Sequence, residues 1–156
     1  MADFRLSSPV FEHDEPLPLA YTADGDDISP PLTWDGVPEG TKELVLIMDD
    51  PDADEGVLTH WVVYGILPAT RSLPEAIPRS AVISQPVELV QGLNEYGEVG
   101  YMGPALPEER GPHRFFFRLF AVGTELLDVP PGATRSDLRQ AAKGHILDQA
   151  ELVGIA

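Results

Sequence analysis

The sequence contains no cysteine, only two lysines and no long hydrophobic run. The absence of cysteine excludes disulfides, thiolate metal sites and thiol-based catalysis. None of the apolar runs approaches the roughly 18 residues that a membrane span requires. The N-terminal segment lacks the basic and apolar regions of a signal peptide. We therefore expect a cytoplasmic protein without a membrane span.

Positive charge is scarce, since 10 Lys and Arg residues face 26 Asp and Glu residues and leave a net charge of −16 at pH 7. Nucleic acid is excluded as a partner because a phosphate backbone requires a basic surface, and an anionic membrane would repel the chain for the same reason. The acids are spread along the sequence, so their mutual repulsion is a general cost that salt relieves by screening. We infer adaptation to a salt-rich cytosol, with an ordinary acidic protein as the alternative.

The 156 residues fit one domain, residues 1–156, large enough to bury roughly two-thirds of its unfolded surface. We find no internal repeat, low-complexity tract or linker that would divide it. The 16 prolines and 14 glycines interrupt short apolar segments, a pattern typical of strands joined by turns.

Three apolar runs predict buried strands, at residues 44–48, 61–66 and 113–122. The third is long and rich in aromatic residues, which favours a central position in a sheet. Residues 81–93 supply a further strand, which Pro86 restricts to an edge, a bulge or a strand end.

The C-terminal segment, residues 134–154, carries the clearest helical pattern. Thr134 or Ser136 is a suitable N-cap, and Gly144 is placed to divide the segment into two short helices. The apolar residues at helical spacing are Leu138, Ala141, Ala142, Ile146, Leu147, Ala150 and Leu152. The predicted fold is mostly β, an antiparallel β-sandwich with short C-terminal helices.

Four aspartates lie within residues 49–54, between the first two predicted strands. Pro51 stiffens this turn because its ring fixes φ, so Asp50 and Asp52 on either side of it are held in defined directions. His60 begins the next strand and His113 begins the third. If these strands share a sheet, two carboxylates, two imidazoles and the Gly-Pro loop before His113 meet at one rim.

Ordinary structural roles and metal binding are the alternatives to a shared ligand site at this rim. Taken singly, the aspartates could be turn formers and the histidines satisfied polar groups at strand ends. An EF-hand calcium loop beginning at Asp50 is excluded, because its sixth position is Glu55 rather than glycine and its twelfth is Trp61 rather than glutamate. A two-histidine, one-carboxylate site made of His60, His113 and Asp50 stays open because the ligand types are right. We nevertheless expect no metal and no cofactor.

The stretches DPDADEGVLTHWVVYGI and GYMGPALPEERGPHRFFFRLFA resemble the two signature regions of the phosphatidylethanolamine-binding protein family. The likeness is greatest to the bacterial and archaeal branch, often labelled Raf-kinase-inhibitor-like. ISPPLTWDGVPEGTKELVLIMDDPDA and GHILDQAELVG extend it to nearly the whole chain. The two signatures in this order are more specific than one short motif.

The resemblance implies a β-sandwich with a small anion-binding pocket at one end of the central sheet. The implied ligands are phosphate, phosphorylethanolamine-like head groups or small carboxylates, and the branch label implies a partner protein such as a kinase or protease. Prokaryotic relatives can pair, so a homodimer stays open. The residues that match the ligand-binding positions are Asp50, Asp52, His60, Gly103, Pro104 and His113.

The chain departs from the family pattern in three places. Asp54 replaces a proline that often follows a cis peptide bond, which puts that backbone feature in doubt. Phe115 stands where many members have a tyrosine, so one hydroxyl is missing. The loop before His113 carries the remaining differences, namely Ala105 and Leu106 where relatives often have Cys or Pro, and the acidic Glu108 and Glu109.

The residue types themselves also support an anion-binding site. A carboxylate beside an imidazole favours the protonated ring, which could then pair with a phosphate. No activated nucleophile is recognisable, because cysteine and the G-x-S-x-G motif are both absent. A binding module is therefore the first interpretation. The alternative is an acid/base enzyme, a hydrolase or lyase, that uses the same histidines and aspartates on a small anionic substrate.

Salt adaptation predicts a higher melting temperature in molar KCl than in low salt, because the Debye length falls to about 3 Å at 1 M and screens acid–acid repulsion. Thermal unfolding followed by circular dichroism in the two buffers measures this difference. Equal melting temperatures would contradict the inference.

Overall fold

The computed structural model describes residues 3–53, 56–105 and 111–156. Within these ranges the chain forms ten strands, one α-helix and a short 3-10 helix at Leu19–Tyr21. The strands and the α-helix are β1 (Arg5–Ser7), β2 (Glu15–Pro16), β3 (Leu32–Asp35), β4 (Glu43–Asp50), β5 (Leu58–Ile66), β6 (Ser72–Leu73), β7 (Val82–Ile83), β8 (Leu89–Gln91), β9 (Arg114–Val122), α1 (Arg135–Ala142) and β10 (Ile146–Ile155).

Seven strands form the large sheet, in the order β2-β10-β9-β4-β5-β8-β7. All neighbours are antiparallel except β2 and β10, which are parallel, so the sheet is mixed, and the predicted antiparallel arrangement holds for every pairing in it but this one. The N-terminal segment runs alongside β10 here, where the N–H of Asp14 donates to the Val153 carbonyl and that of Leu17 to the Ile155 carbonyl, both at 2.8 Å. These bonds satisfy backbone groups that an open sheet edge would expose.

A small antiparallel sheet, β1-β3-β6, contributes to the larger hydrophobic cluster. Its inward-facing residues, among them Leu32 and Trp34, share this cluster with alternate residues of the large sheet, such as Leu46, Met48 and Phe117. The two sheets therefore bury a common apolar layer.

The other face of the large sheet is covered by α1 and the loop that precedes it. Val45, Ile47 and Phe120 of the sheet form a second cluster with Leu138 and Ala142 of the helix. All eight residues of β4 are consequently buried. This two-sided burial explains why the central strands appear in the sequence as continuous apolar runs rather than as alternating patterns.

The strands predicted at residues 44–48, 61–66 and 113–122 are confirmed as β4, β5 and β9. Residues 81–93 form two short antiparallel strands, β7 and β8, instead of one. Pro86 lies in the connection between them, consistent with its inability to donate to a β-ladder.

Of the two short helices predicted for the C-terminal segment, the first is confirmed as α1. Thr134 caps α1 through a capping box with Asp137, each side chain accepting from the other residue's backbone N–H. The predicted second helix is wrong, because residues 146–155 form β10. Ile146 and Leu147 are 45% and 49% exposed rather than part of an apolar helix face. Pairing with β9 along nearly its whole length outweighs the helical spacing of this segment.

No helix in the described ranges is long and apolar enough to cross a membrane. The predictions concerning Asp54, its preceding peptide bond, Leu106, Glu108 and Glu109 fall outside the described residues.

Candidate functional site

A cavity of about 430 Å³ opens where β4 ends and β5 and β9 begin. It lies at the end of the apolar layer shared by the two sheets, since Phe115 of that layer lines it. The lining residues are Ala23, Asp50, Ala53, Leu58, His60, Tyr96, Met102, Gly103, Ala105, His113 and Phe115.

The two aspartates that end β4 serve different purposes, because successive side chains of a strand point to opposite faces. Asp49 is buried on the α1 side, where it accepts hydrogen bonds from Thr59 Oγ1 at 3.0 Å and Arg135 Nε at 2.9 Å. Asp50, the next residue, lines the cavity. The acid cluster is therefore divided between a structural ion pair and the candidate site.

Asp50 and the partly buried His113 form a pair at one wall of the cavity, with 2.7 Å between Asp50 Oδ2 and His113 Nδ1. The second carboxylate oxygen of Asp50 accepts the backbone N–H of Asp52 at 2.9 Å. The backbone of His113 is fixed by two hydrogen bonds with Ala156, just after β10. Both the side chain and the backbone of His113 are thus held in place before any ligand arrives.

His60 reaches the cavity from β5 through a β-bulge. Met48 pairs with Trp61 and Asp49 pairs with Thr59, so His60 is the extra residue between them. Bulges of this kind redirect a side chain and are common beside functional sites. The bulge explains how a strand buried on both sides presents one imidazole at its end.

The ring of His60 is anchored by the loop that follows β8. His60 Nδ1 lies 2.7 Å from the Met102 carbonyl oxygen, and the Met102 N–H donates to the His60 carbonyl at 3.0 Å. Burial lowers the pKa of His60, and the Met102 carbonyl and the nearby carboxylates of Asp50, Asp49 and Glu95 only partly offset this effect. Burial therefore favours the neutral form of the His60 ring.

Phe115 lies against both imidazoles. Its ring meets His60 edge to face at a centroid distance of 5.2 Å and stacks with His113 at 6.5 Å. Phe115 is almost fully buried, so it gives the cavity an apolar wall at the position where a tyrosine would bring a hydroxyl. The ionisable side chains nearest this apolar wall are the two imidazoles and Asp50.

Gly103 lies in the cavity wall, where Asp27 and the Tyr21 carbonyl approach its backbone closely. Its N–H donates to Asp27 Oδ1 at 2.7 Å, and a Cβ atom at this position would lie 2.6 Å from the same oxygen and 2.8 Å from the Tyr21 carbonyl oxygen. Only glycine fits such an approach. Pro104 is not among the residues that line the cavity, and its carbonyl accepts the Ala23 N–H at 2.9 Å.

Asp52, like Pro104, is not among the residues that line the cavity. Its carboxylate accepts from the Arg114 backbone N–H at 2.8 Å, from Nε at 3.0 Å and from Nη2 at 2.9 Å. These side-chain and backbone hydrogen bonds lower the pKa of Asp52 to about 2. Asp52 thus ties the turn after β4 to the start of β9, and it positions the cavity wall from outside.

The assembled cavity combines an acid–imidazole pair, a second imidazole, and walls of apolar and backbone atoms. A carboxylate-held imidazole is suited to proton transfer and, once protonated, to pairing with an anion. Across the described ranges no group of three or more His, Cys, Asp or Glu side chains is arranged to hold a metal ion. Anion recognition and acid/base chemistry are the two uses that these side chains support.

Several contributors were missed by sequence reasoning. The Met102 carbonyl orients His60 and Asp27 holds Gly103, and neither gave a signal because one is a backbone group and the other lies far away in the sequence. Tyr96, which lines the mouth and is 75% exposed, was also missed. Arg114 could have been found, since it is a base adjacent to His113 and opposite a run of acids.

Comparison with known proteins places this geometry in context. The family model of the phosphatidylethanolamine-binding protein matches residues 7–156. The chain belongs to the phosphatidylethanolamine-binding protein family. The resemblance inferred from the two signature stretches is therefore confirmed.

Relatives in bacteria and archaea match over almost the whole chain. The UPF0098 protein of Aquifex aeolicus is 50% identical over 154 residues, covering 99% of this chain and 88% of its own. The UPF0098 protein PYRAB11530 of Pyrococcus abyssi is 43% identical, covering 95% of this chain and 82% of its own.

Solved structures of the family share the fold. The homologue CT736 of Chlamydia trachomatis is 36% identical with a TM-score of 0.86, covering 98% of this chain and 96% of its own. Escherichia coli YbcL, described as a new member of the mammalian family, is 29% identical with a TM-score of 0.89, covering 99% and 98%. The mostly β phosphatidylethanolamine-binding fold is thus established for this chain.

Replacing Asp52 by asparagine tests the contribution of the ion pair between Asp52 and Arg114. Because the pKa of Asp52 is lower in the folded chain than its ordinary value near 3.8, its ionised form stabilises the fold above about pH 4, and this stabilisation is lost as the pH falls toward about 2. We expect Asp52→Asn to melt below the native protein at pH 6, with the gap closing between about pH 4 and pH 2.

Thermal unfolding at pH 6, 4, 3 and 2 measures this gap. Asp128→Asn, an exposed loop substitution, serves as the control and should show no such pH-dependent gap. A gap that persists unchanged to pH 2 would refute the assigned role of Asp52.

Proposed function

We propose that this chain is a small-anion binding protein whose ligand is a phosphate, a phosphorylethanolamine-like group or a carboxylate. The observation that carries the proposal is the convergence of Asp50, His60 and His113, from three separate strand ends, on one cavity of about 430 Å³. A cavity of this size suits a small molecule or a head group rather than an extended polymer.

His113 is the group that pairs with negative charge. Its Nδ1 is engaged by the Asp50 carboxylate at 2.7 Å, so its Nε2 is left for a ligand. In its imidazolium form the ring donates from Nε2 while Asp50 balances the charge on the other side. Asp50 in this arrangement is a positioning residue for His113.

The net charge of −16 opposes anion binding at long range but does not prevent it. Ligand hydrogen bonds act at about 3 Å, while surface acids farther away than a Debye length of about 8 to 10 Å are largely screened. Affinity should consequently be modest. It should weaken as pH rises, because a phosphomonoester loses its last proton with a pKa of about 6 and its added negative charge increases the repulsion from the acidic chain.

The anion need not be free in solution. The same cavity could accept a phosphorylated or carboxylated group displayed on a partner protein, such as a kinase or protease, and so modulate that partner. The exposed Tyr96 at the mouth offers an aromatic contact for such a partner.

The Asp50–His113 pair also favours a second candidate function. A carboxylate that orients an imidazole from Nδ1 leaves Nε2 as a general base, as in many hydrolases. A hydrolase or lyase acting on a small anionic substrate would use His113 in this role and His60 as its partner across the cavity. No activated nucleophile accompanies the pair among the described residues that line the cavity, so the binding function is preferred.

Calorimetric titration with phosphorylethanolamine at pH 6 and pH 8 tests the proposal. We expect binding at pH 6 that is several-fold weaker at pH 8, and at least tenfold weaker in His113→Ala at pH 6. His145→Ala, which removes an exposed imidazole outside the cavity, is the matched control and should bind like the native protein.

Absence of binding heat at both pH values, or tighter binding at pH 8, would contradict the proposed function. The same samples can be assayed for turnover of p-nitrophenyl phosphate. Hydrolysis that is lost in both His60→Ala and His113→Ala but retained in His145→Ala would instead favour the enzyme.

A further inference from the structure

We propose that the site selects an oxyanion that still carries a proton, such as monoprotonated phosphate or the monoanion of a phosphomonoester, over an anion without a hydrogen-bond donor, such as sulfate. This inference rests on the proposed function, because it concerns the ligand of the same cavity. It follows from the direction of the hydrogen bond that His60 makes with the protein.

The tautomer of His60 is dictated by its partner. A carbonyl oxygen can only accept, so the 2.7 Å contact between His60 Nδ1 and the Met102 carbonyl requires the hydrogen to sit on Nδ1. In a neutral imidazole the other nitrogen, Nε2, then holds a lone pair and can only accept. The Met102 carbonyl thus leaves the lone pair of Nε2 as the group that His60 presents to a ligand.

Burial favours the neutral form of this ring. His60 is only 6% exposed and packs edge to face against Phe115, and burial lowers its pKa. The charged groups that act against burial are Asp49 and Asp50 on β4 and Glu95 on the loop after β8, and His113 lies across Phe115. Their combined effect does not restore an ordinary imidazolium at this position.

Among the described residues of the cavity wall, the backbone N–H groups of Met102 and Gly103 already have acceptors within the protein. The Gly103 N–H is used by Asp27, and the N–H of Met102 is used by the His60 carbonyl. Asp50 brings only acceptor oxygens. His113 therefore supplies the donor for the anionic oxygen, while the His60 side presents a lone pair that a ligand must meet with its own hydrogen.

An anion without a proton cannot hydrogen-bond to both His113 and His60 in such a site. Sulfate carries no proton near neutral pH, so one of its oxygens would face the lone pair of His60 Nε2. Leaving a buried acceptor unpaired typically costs about 1–3 kcal/mol, or roughly five- to 150-fold in affinity. Phosphate of nearly the same size and shape donates its hydroxyl there and avoids this cost.

Titration of the native protein with sodium phosphate and sodium sulfate at pH 6, at equal ionic strength, tests the selectivity. We expect phosphate to bind at least tenfold more tightly. Glutamine at position 60 can turn its amide to donate, so His60→Gln should reduce the ratio to about threefold or less. The control His145→Gln should leave it unchanged.

The outcomes separate this inference from the function on which it rests. Equal or tighter binding of sulfate would overturn the selectivity while leaving anion binding intact, because a doubly protonated His60 would donate a hydrogen bond to either ion. Failure of phosphate, sulfate and phosphorylethanolamine to bind at all would overturn both.

Nitrogen-15 NMR of the unaltered protein provides a test that does not depend on any variant. Two-bond correlations to the ring carbon hydrogens should assign the proton of His60 to Nδ1 and a lone pair to Nε2 from pH 6 to 8. They should retain that assignment when phosphate is added. A proton on Nε2 in this range would contradict the inference.

Discussion

The constraint on which the structure depends is the burial of the central strands on both faces. β4, β5 and β9 lie between the apolar layer shared with the small sheet and the layer beneath α1, so their interiors admit almost only apolar side chains. Polar groups of these strands are consequently concentrated where the strands begin and end. Antiparallel pairing places the end of β4 beside the starts of β5 and β9, and the cavity forms at that edge.

The side chains at this edge are fixed by hydrogen bonds within the protein. Asp50 holds His113, the Met102 carbonyl holds His60, and Asp27 holds the Gly103 backbone. Each bond determines which atoms remain for a ligand. Binding groups prepared in this way lose little conformational entropy when a ligand arrives, which is how a site with few polar groups can be selective.

Much of this could be predicted from the sequence where burial dictates the pattern. Continuous apolar runs identified the three central strands, and the polar residues at their ends identified Asp50, His60 and His113 as neighbours. β10 was mistaken for a helix because its apolar residues also fit a helical period, and only its partner β9 resolves the ambiguity. The position of Asp52 depends on Arg114 and on strand register, which no local pattern encodes.

Family membership and the hydrogen bonds of the site explain different properties of this chain. Membership explains why the signature residues occur together, while the hydrogen bonds explain what those residues can do. The replacement of a tyrosine by Phe115 is an example, since it leaves the two imidazoles facing an apolar ring and makes their protonation states decisive.

The central claim is that Asp50, His60 and His113 form one cavity that holds a small anion. A crystal structure of the protein soaked in phosphorylethanolamine tests it most directly. We predict the phosphoryl group within hydrogen-bonding distance, about 2.7–3.2 Å, of Nε2 of both imidazoles. A phosphoryl group bound elsewhere, or a cavity closed by packed side chains, would contradict the account.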